Sequence, residues 1–157
     1  MGRFLSPNET ASSIFEIDYG RLYSSGKRAL LFDLDNTLGA GRPKRLAPEA
    51  RELLIRLKDE GFKIGVITNR RRPEGLPVFR DLREHALLYH RAGKPLKRGF
   101  LSLLSELQAN PERAVMIGDR RLTDVFGANR LGIYTILLRQ RGKQREGEAT
   151  HPPPLRV

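Results

Sequence analysis

Two aspartates, Asp33 and Asp35, stand where the apolar run Ala29-Leu30-Leu31-Phe32 gives out. The run reads as a buried strand, and in an extended segment residues i and i+2 point to one face. Both carboxylates are therefore expected in one small space. Like charges that close repel unless a metal ion or a lysine compensates them. Phosphoryl transfer calls for such an arrangement, whereas a strand end shaped only for stability would avoid it.

Three further positions could complete a site. Thr68 follows a second apolar run, Phe62-Lys63-Ile64-Gly65-Val66-Ile67. A threonine at a strand end is by itself more often a turn residue than a ligand. Lys94, in Ala92-Gly93-Lys94-Pro95, precedes an expected helix, where its charge opposes the helix dipole. A neighbouring anion or carboxylate cluster would remove that conflict; an exposed loop lysine is the alternative. Asp119 and Asp124 bracket the stretch that leaves a third apolar run, Ala114-Val115-Met116-Ile117. His85, His90 and His151 match no ligand spacing.

The elements that must hold these residues alternate between strand and helix from about residue 28 to 138. Strands are expected at 27–32, 62–67, 86–89, 114–117 and 134–138. Helices are expected at 48–60, 77–83, 96–109 and 122–131. In the first helix Ala50, Leu53, Leu54 and Leu57 recur at helical spacing, Pro48 suits the first turn and Gly61 stops it. In the third, Leu96, Phe100, Leu103, Leu104 and Leu107 share a face. Such alternation with short links predicts an α/β fold, a single Rossmannoid domain with a parallel sheet of about five strands and helices on both faces. Ligands then bind outside the carboxyl ends of the strands. Upstream, Ser6-Pro7-Asn8-Glu9 reads as a capping box, with a short helix through Ile14 and Phe15 to follow. The expected division is an N-terminal extension, 1–26, packing on a core, 27–139, and a basic, Pro-rich, disordered tail, 140–157.

Composition sets the outer limits. A chain of 157 residues suits one core. With no cysteine, disulfides and thiolate metal sites are excluded. No apolar stretch reaches the roughly 20 residues of a transmembrane helix, and the N-terminus lacks a secretory signal, so a cytoplasmic protein is expected. The net charge of +11 favours anionic partners: nucleic acid, anionic lipid or phosphorylated substrates.

Phe32-Asp33-Leu34-Asp35-Asn36-Thr37-Leu38 after a strand resembles the first motif of the haloacid dehalogenase (HAD) superfamily of phosphotransferases. The other motifs of that superfamily follow in order. The resemblance implies that Thr68 hydrogen-bonds a phosphoryl oxygen and that Lys94 neutralises Asp33 and the phosphoryl group. Gly118-Asp119-Arg120-Arg121-Leu122-Thr123-Asp124 resembles the fourth motif. It makes Asp119 a metal ligand, and Asp124 a ligand through water or a group that orients Lys94. Mg²⁺, which prefers octahedral oxygen ligands, would take the Asp33 carboxylate, the Asp35 backbone carbonyl and Asp119. Asp33 would be the nucleophile, and Asp35 the acid and then the base. With the five strands numbered in chain order, the resemblance implies the sheet order 5-4-1-2-3.

The pattern narrows further. Leu5-Ser6-Pro7, Ile14-Phe15-Glu16-Ile17-Asp18 and Thr123-Asp124-Val125-Phe126-Gly127-Ala128-Asn129-Arg130-Leu131-Gly132 are similar to the YqeG-type family of subfamily IIIA phosphatases. Some of its members are phosphatidylglycerophosphate phosphatases, so that activity is what the resemblance implies. The chain departs from the family pattern at Arg70, in Thr68-Asn69-Arg70 where relatives usually have Ser-Asn-Asn, and at Arg120, where relatives usually have Gln. Both changes put cations by the phosphate crevice, so Thr68, Asn69, Arg70, Lys94 and Arg120 are the expected substrate-binding set.

Roughly 30 residues separate the first and second motifs and roughly 25 the second and third, which leaves no room for a folded cap domain. An uncapped site admits a bulky substrate, such as a lipid headgroup at the inner membrane face, unless an oligomer covers it. Arg70-Arg71-Arg72 should line its rim. Phe4, Leu5, Ile14, Phe15, Ile17 and Tyr19 would either pack on the domain or insert into an interface. Two other readings stand beside the lipid phosphatase. One is a HAD phosphatase acting on a soluble sugar phosphate, a nucleotide or a nucleic-acid 3′-phosphate end. The other is a basic RNA- or ribosome-binding protein on the same scaffold.

Overall fold

The computed structural model describes residues 2–71 and 76–139. The expectations for Arg72 and for the tail at 140–157 lie outside the described residues.

The described residues form one parallel sheet: β1 Glu9–Ala11, β2 Ala29–Phe32, β3 Lys63–Ile67, β4 Leu87–Tyr89, β5 Ala114–Gly118 and β6 Tyr134–Leu138, in the order β1-β6-β5-β2-β3-β4. The five expected strands keep their expected order. The sixth, β1, lies parallel to β6, with Glu9 opposite Ile136, so the N-terminal segment extends the sheet where a capped helix was expected. The capping box fails because its residues find partners far along the chain. Asn8 Oδ1 accepts from the Thr135 N–H at 2.8 Å, and Glu9 Oε1 accepts from Arg21 at 2.6 Å and from the Tyr134 hydroxyl at 2.7 Å. Ser13 caps instead, starting a 3-10 turn at Ile14–Glu16. Ile14, Ile17 and Tyr19 are buried, whereas Phe15 is exposed.

Alternation along β2 divides the interior in two. Leu30 and Phe32 join the layer that includes helix α2, Pro48–Asp59, helix α3, Pro77–Arg83, and the N-terminal elements. Ala29 and Leu31 join the layer under helix α4, Lys97–Leu107. Helix α1, Tyr19–Ser24, is capped by Asp18 and leads into β2. Pro48 opens α2 at its first turn, and Gly61, at φ +108°, turns the chain after its end.

Two helices differ from expectation. Helix α4 begins at Lys97, and Leu96 is 66% exposed outside the apolar face it was expected to join. The stretch expected as one helix over 122–131 is a π-helical turn, Arg121–Phe126, running into a short α5, Gly127–Asn129. Wider turns of this kind occur frequently at functional sites. No described helix is long and apolar enough to cross a membrane.

From β2 the chain winds outward to β3 and β4, then crosses back to β5 on the other side of β2. The winding reverses between β2 and β5, so the crevice opens where Asp33 and Asp119 leave the sheet. Leu31, fully buried in the central strand, and Leu96 make a test of this architecture. Leu31→Ala should cost about 2–5 kcal/mol, whereas Leu96→Ala should stay within about 0.5 kcal/mol, both read from urea midpoints.

Candidate active site

Asp33 is the first residue past β2, and its backbone N–H still bonds to Ile117 in β5. This last rung of the ladder sets the carboxylate beside the end of β5. Lys94 arrives from the loop after β4. Its ammonium donates to Asp33 Oδ1 at 2.8 Å, to Asp124 Oδ1 at 2.7 Å and to the Ile67 carbonyl at 3.1 Å. All three donors of the ammonium are thereby used, and the lysine side chain is only 2% exposed. The exposed-lysine alternative is excluded.

The lysine is held from its backbone as well. Asn69 Oδ1 accepts from the Lys94 N–H at 2.8 Å, and Asn69 Nδ2 donates to the Lys94 carbonyl at 3.2 Å. The side chain expected to bind substrate is thus engaged in fixing the loop of Lys94. Thr68 is buried one residue earlier, and its hydroxyl accepts from the Arg70 N–H at 3.1 Å. The hydroxyl proton can still be donated outward, as a phosphoryl ligand requires.

Asp119 and Asp124 complete the cluster. Ligand oxygens of Asp33, Asp119 and Asp124 lie within 4.8 Å of one another. Asp124 is secured at both oxygens, by Lys94 and by the Arg120 N–H at 3.2 Å. The role the structure supports for Arg120 is this backbone contact, since its side chain is exposed. Gly118 was not singled out from the sequence. A Cβ there would lie 2.2 Å from Asp124 Oδ2, so only glycine leaves that carboxylate in place. The clue was its place directly before Asp119.

Asp35 departs from expectation. The strand ends at Phe32 and the chain turns, with Asn36 at φ 59°, so the i, i+2 rule no longer applies. The Asp35 side chain lies outside the carboxylate cluster and forms a two-pronged ion pair with Arg70: Nη2 to Oδ1 at 2.5 Å, Nε to Oδ1 at 3.0 Å and to Oδ2 at 3.3 Å. Arg70 was expected on the rim by the phosphate crevice, yet its side chain is only 7% exposed. Arg71 beside it is exposed.

Three carboxylates against one ammonium leave excess negative charge in a largely buried space. Burial pushes the Asp33 carboxyl up to about 7; Lys94 opposes the rise and Asp124 adds to it. Asp119 is raised by burial and by Asp124. Burial alone would lower Lys94, but Asp124 and Asp33 outweigh it and raise its pKa. Asp119 Oδ1 is buried with no hydrogen-bond partner. An orphaned oxygen beside a carboxylate cluster is what a hard divalent cation would satisfy. The residues fit such an ion, with Asp33 and Asp119 offering oxygens and Asp124 already committed to Lys94.

Comparison with known proteins agrees with this geometry. The model of the haloacid dehalogenase-like hydrolase family matches residues 14–132. The chain is 30% identical to the probable phosphatase YqeG of Bacillus subtilis, over 87% of this chain and 78% of that one. It is 34% identical to a glyceraldehyde 3-phosphate phosphatase of Pyrococcus furiosus, over 59% of this chain and 41% of the relative. It is also 30% identical to phosphatidylglycerophosphate phosphatase 1 of Arabidopsis thaliana, over 86% of this chain and 41% of that protein. The crystal structure of a HAD phosphatase from Thermococcus onnurineus superposes with a TM-score of 0.56 at 25% identity, over 64% of this chain and 50% of that one.

Two outcomes are expected. Mg²⁺ at about 100 times its dissociation constant should stabilise the fold by about 2.7 kcal/mol. Because the raised Asp33 holds a proton below about pH 7 and the cation must displace it, the Mg²⁺-induced rise in Tm should grow between pH 6 and pH 8. A rise that shrank with pH would contradict the proton on Asp33. Gly118→Ala should displace Asp124 and abolish most of the Mg²⁺-induced shift, as read by thermal melts with and without EDTA.

Proposed function

Because the chain belongs to the haloacid dehalogenase-like hydrolase family, a phosphatase family by its named relatives, we propose that it hydrolyses the phosphomonoester of phosphatidylglycerophosphate, through a covalent phosphate on Asp33. The observation that carries the catalytic part is the buried ion cluster, with Lys94 bridging Asp33 and Asp124 beside Thr68.

The Asp33 carboxylate attacks phosphorus, forming an O–P bond as the bond to the leaving oxygen breaks. Asp35 gives its proton to that oxygen, then takes one from the water that attacks the phosphoryl-aspartate and returns Asp33 to a carboxylate. Lys94 keeps Asp33 oriented and, with the Thr68 hydroxyl, offers donors where charge develops on the phosphoryl oxygens. A divalent cation held by Asp33 and Asp119, for which we propose Mg²⁺, would supply further positive charge against those oxygens.

The lipid assignment is supported by what surrounds the crevice. No cap domain stands over it among the described residues. The loops at the carboxyl ends of the strands carry exposed Arg42, Lys44, Arg71, Arg91 and Arg120, with exposed Lys97 at the start of α4, while Asp33, Asp35 and Asp119 of the same loops belong to the site itself. Leu96 and Leu122, 66% and 60% exposed, are the most exposed large apolar residues described, and they flank Lys94 and Asp119 in sequence. Cations around exposed leucines at an open mouth suit an anionic lipid surface, where each basic residue adds about 1 kcal/mol.

The test is phosphate release from phosphatidylglycerophosphate in mixed micelles beside soluble phosphomonoesters. Strong preference for the lipid is expected, with Asp33→Asn folded and inactive. Activity confined to soluble esters would discard the lipid assignment, and retained activity in Asp33→Asn would sink the nucleophile. Leu96→Ser with Leu122→Ser should weaken binding to vesicles containing phosphatidylglycerol while leaving hydrolysis of soluble esters intact.

A further inference from the structure

We infer that the Arg70–Asp35 ion pair is a specificity latch, selecting phosphomonoesters whose leaving group carries a second anionic group. The inference rests on the catalytic reading of Asp35 above. Both oxygens of Asp35 accept from the Arg70 guanidinium. While they do so, the carboxyl is not free to exchange a proton with a leaving oxygen. Turnover therefore requires the pair to part.

Asp35 is the partner that can move. Arg70 is held along its length: its N–H bonds to Thr68 Oγ1 at 3.1 Å, and its carbonyl accepts from the Arg91 N–H at 2.7 Å. Its guanidinium also reaches the Pro43 carbonyl at 3.4 Å and lies 5.7 Å from the centre of the Phe79 ring. The Arg70 side chain is 7% exposed against 24% for that of Asp35, and the backbone of Asp35 lies past β2, tied only by an isolated bridge to Gly39.

A guanidinium so buried is costly to leave without an anion. A substrate that draws Asp35 away and offers nothing in exchange bears that cost. A substrate whose leaving group brings a phosphodiester or carboxylate replaces Asp35 on the same planar fork, which binds such anions two-pronged. The location is apt, because Arg70 lies two residues beyond Thr68 and against Asp35, the group that must reach the leaving oxygen. The second anion is thus read only a few bonds from the scissile one. Asp35, once displaced, takes up a proton from water and gives it to the leaving oxygen as the phosphorus–oxygen bond breaks; the water attacking the phosphoryl-aspartate returns that proton.

The test compares kcat/KM on glycerol 3-phosphate, whose leaving group is neutral, with 3-phosphoglycerate, which adds a carboxylate, and dihexanoyl phosphatidylglycerophosphate, which adds a phosphodiester. Wild type should favour at least one anion-bearing ester by about tenfold or more, and which one distinguishes the two anion sources. Arg70→Gln should collapse that ratio toward one, losing turnover of the favoured ester and gaining on glycerol 3-phosphate as Asp35 is released. Arg70→Lys, with the charge but not the fork, should keep part of the preference, and circular dichroism should show both variants folded. An unchanged ratio in Arg70→Gln, or a parallel fall on all three esters, overturns the latch while the phosphatase reading stands. A wild type inactive on all three overturns that reading and the latch with it.

Discussion

The burial of one ammonium between two carboxylates is the constraint on which this structure depends. Lys94, withdrawn from water, requires anions and oriented acceptors in place of its hydration shell. It obtains them from Asp33, Asp124 and the Ile67 carbonyl. These groups come from the ends of β2 and β3 and from the π-helical turn after β5, so the cluster couples three crossovers of the sheet. Asn69 fixes the backbone of the lysine, and Gly118 leaves room for Asp124.

The supporting framework reaches as far as the N-terminus. Asn129, at the end of α5, donates to the carbonyls of Phe4 and Ser6 at 2.8 Å each, and Arg121 donates to the Leu5 carbonyl at 3.1 Å. Phe4 meets Phe126 edge to face. The first residues described are therefore a brace for the turn that presents Asp124, and β1 beyond them anchors that brace to the sheet edge. On the other side, Arg130 donates to the Pro95 carbonyl and so ties α5 to the loop of Lys94. The turn and the lysine it faces are held against each other from behind.

Charge explains the division of labour at the site. Burial and Asp124 raise both Asp33 and Asp119, a stress that a cation would relieve, and Lys94 opposes it at Asp33. Asp35 belongs to a separate ion pair on the more open side. Asp33 and Asp35 are thus held by different cations, Lys94 and Arg70.

The strands from β2 to β6 and the buried face of α2 were legible in the sequence from side-chain periodicity, and so was the place of Asp33, Thr68 and Asp119 just past strand ends; Lys94 and Asp124 were singled out by the resemblance. The resemblance to a known family supplied the sheet order and the roles. What tertiary structure alone decided involves partners far apart in the chain. Glu9 became part of a strand because Arg21 and Tyr134 claim its carboxylate, and Asn69 turned from substrate toward Lys94. Arg70, expected on the rim from its place in an arginine run, is paired with Asp35, 35 residues away. Local patterning specifies which residues can do chemistry. Which charge each one meets depends on long-range packing, because a buried ion takes its partner from whatever the fold brings within hydrogen-bond reach.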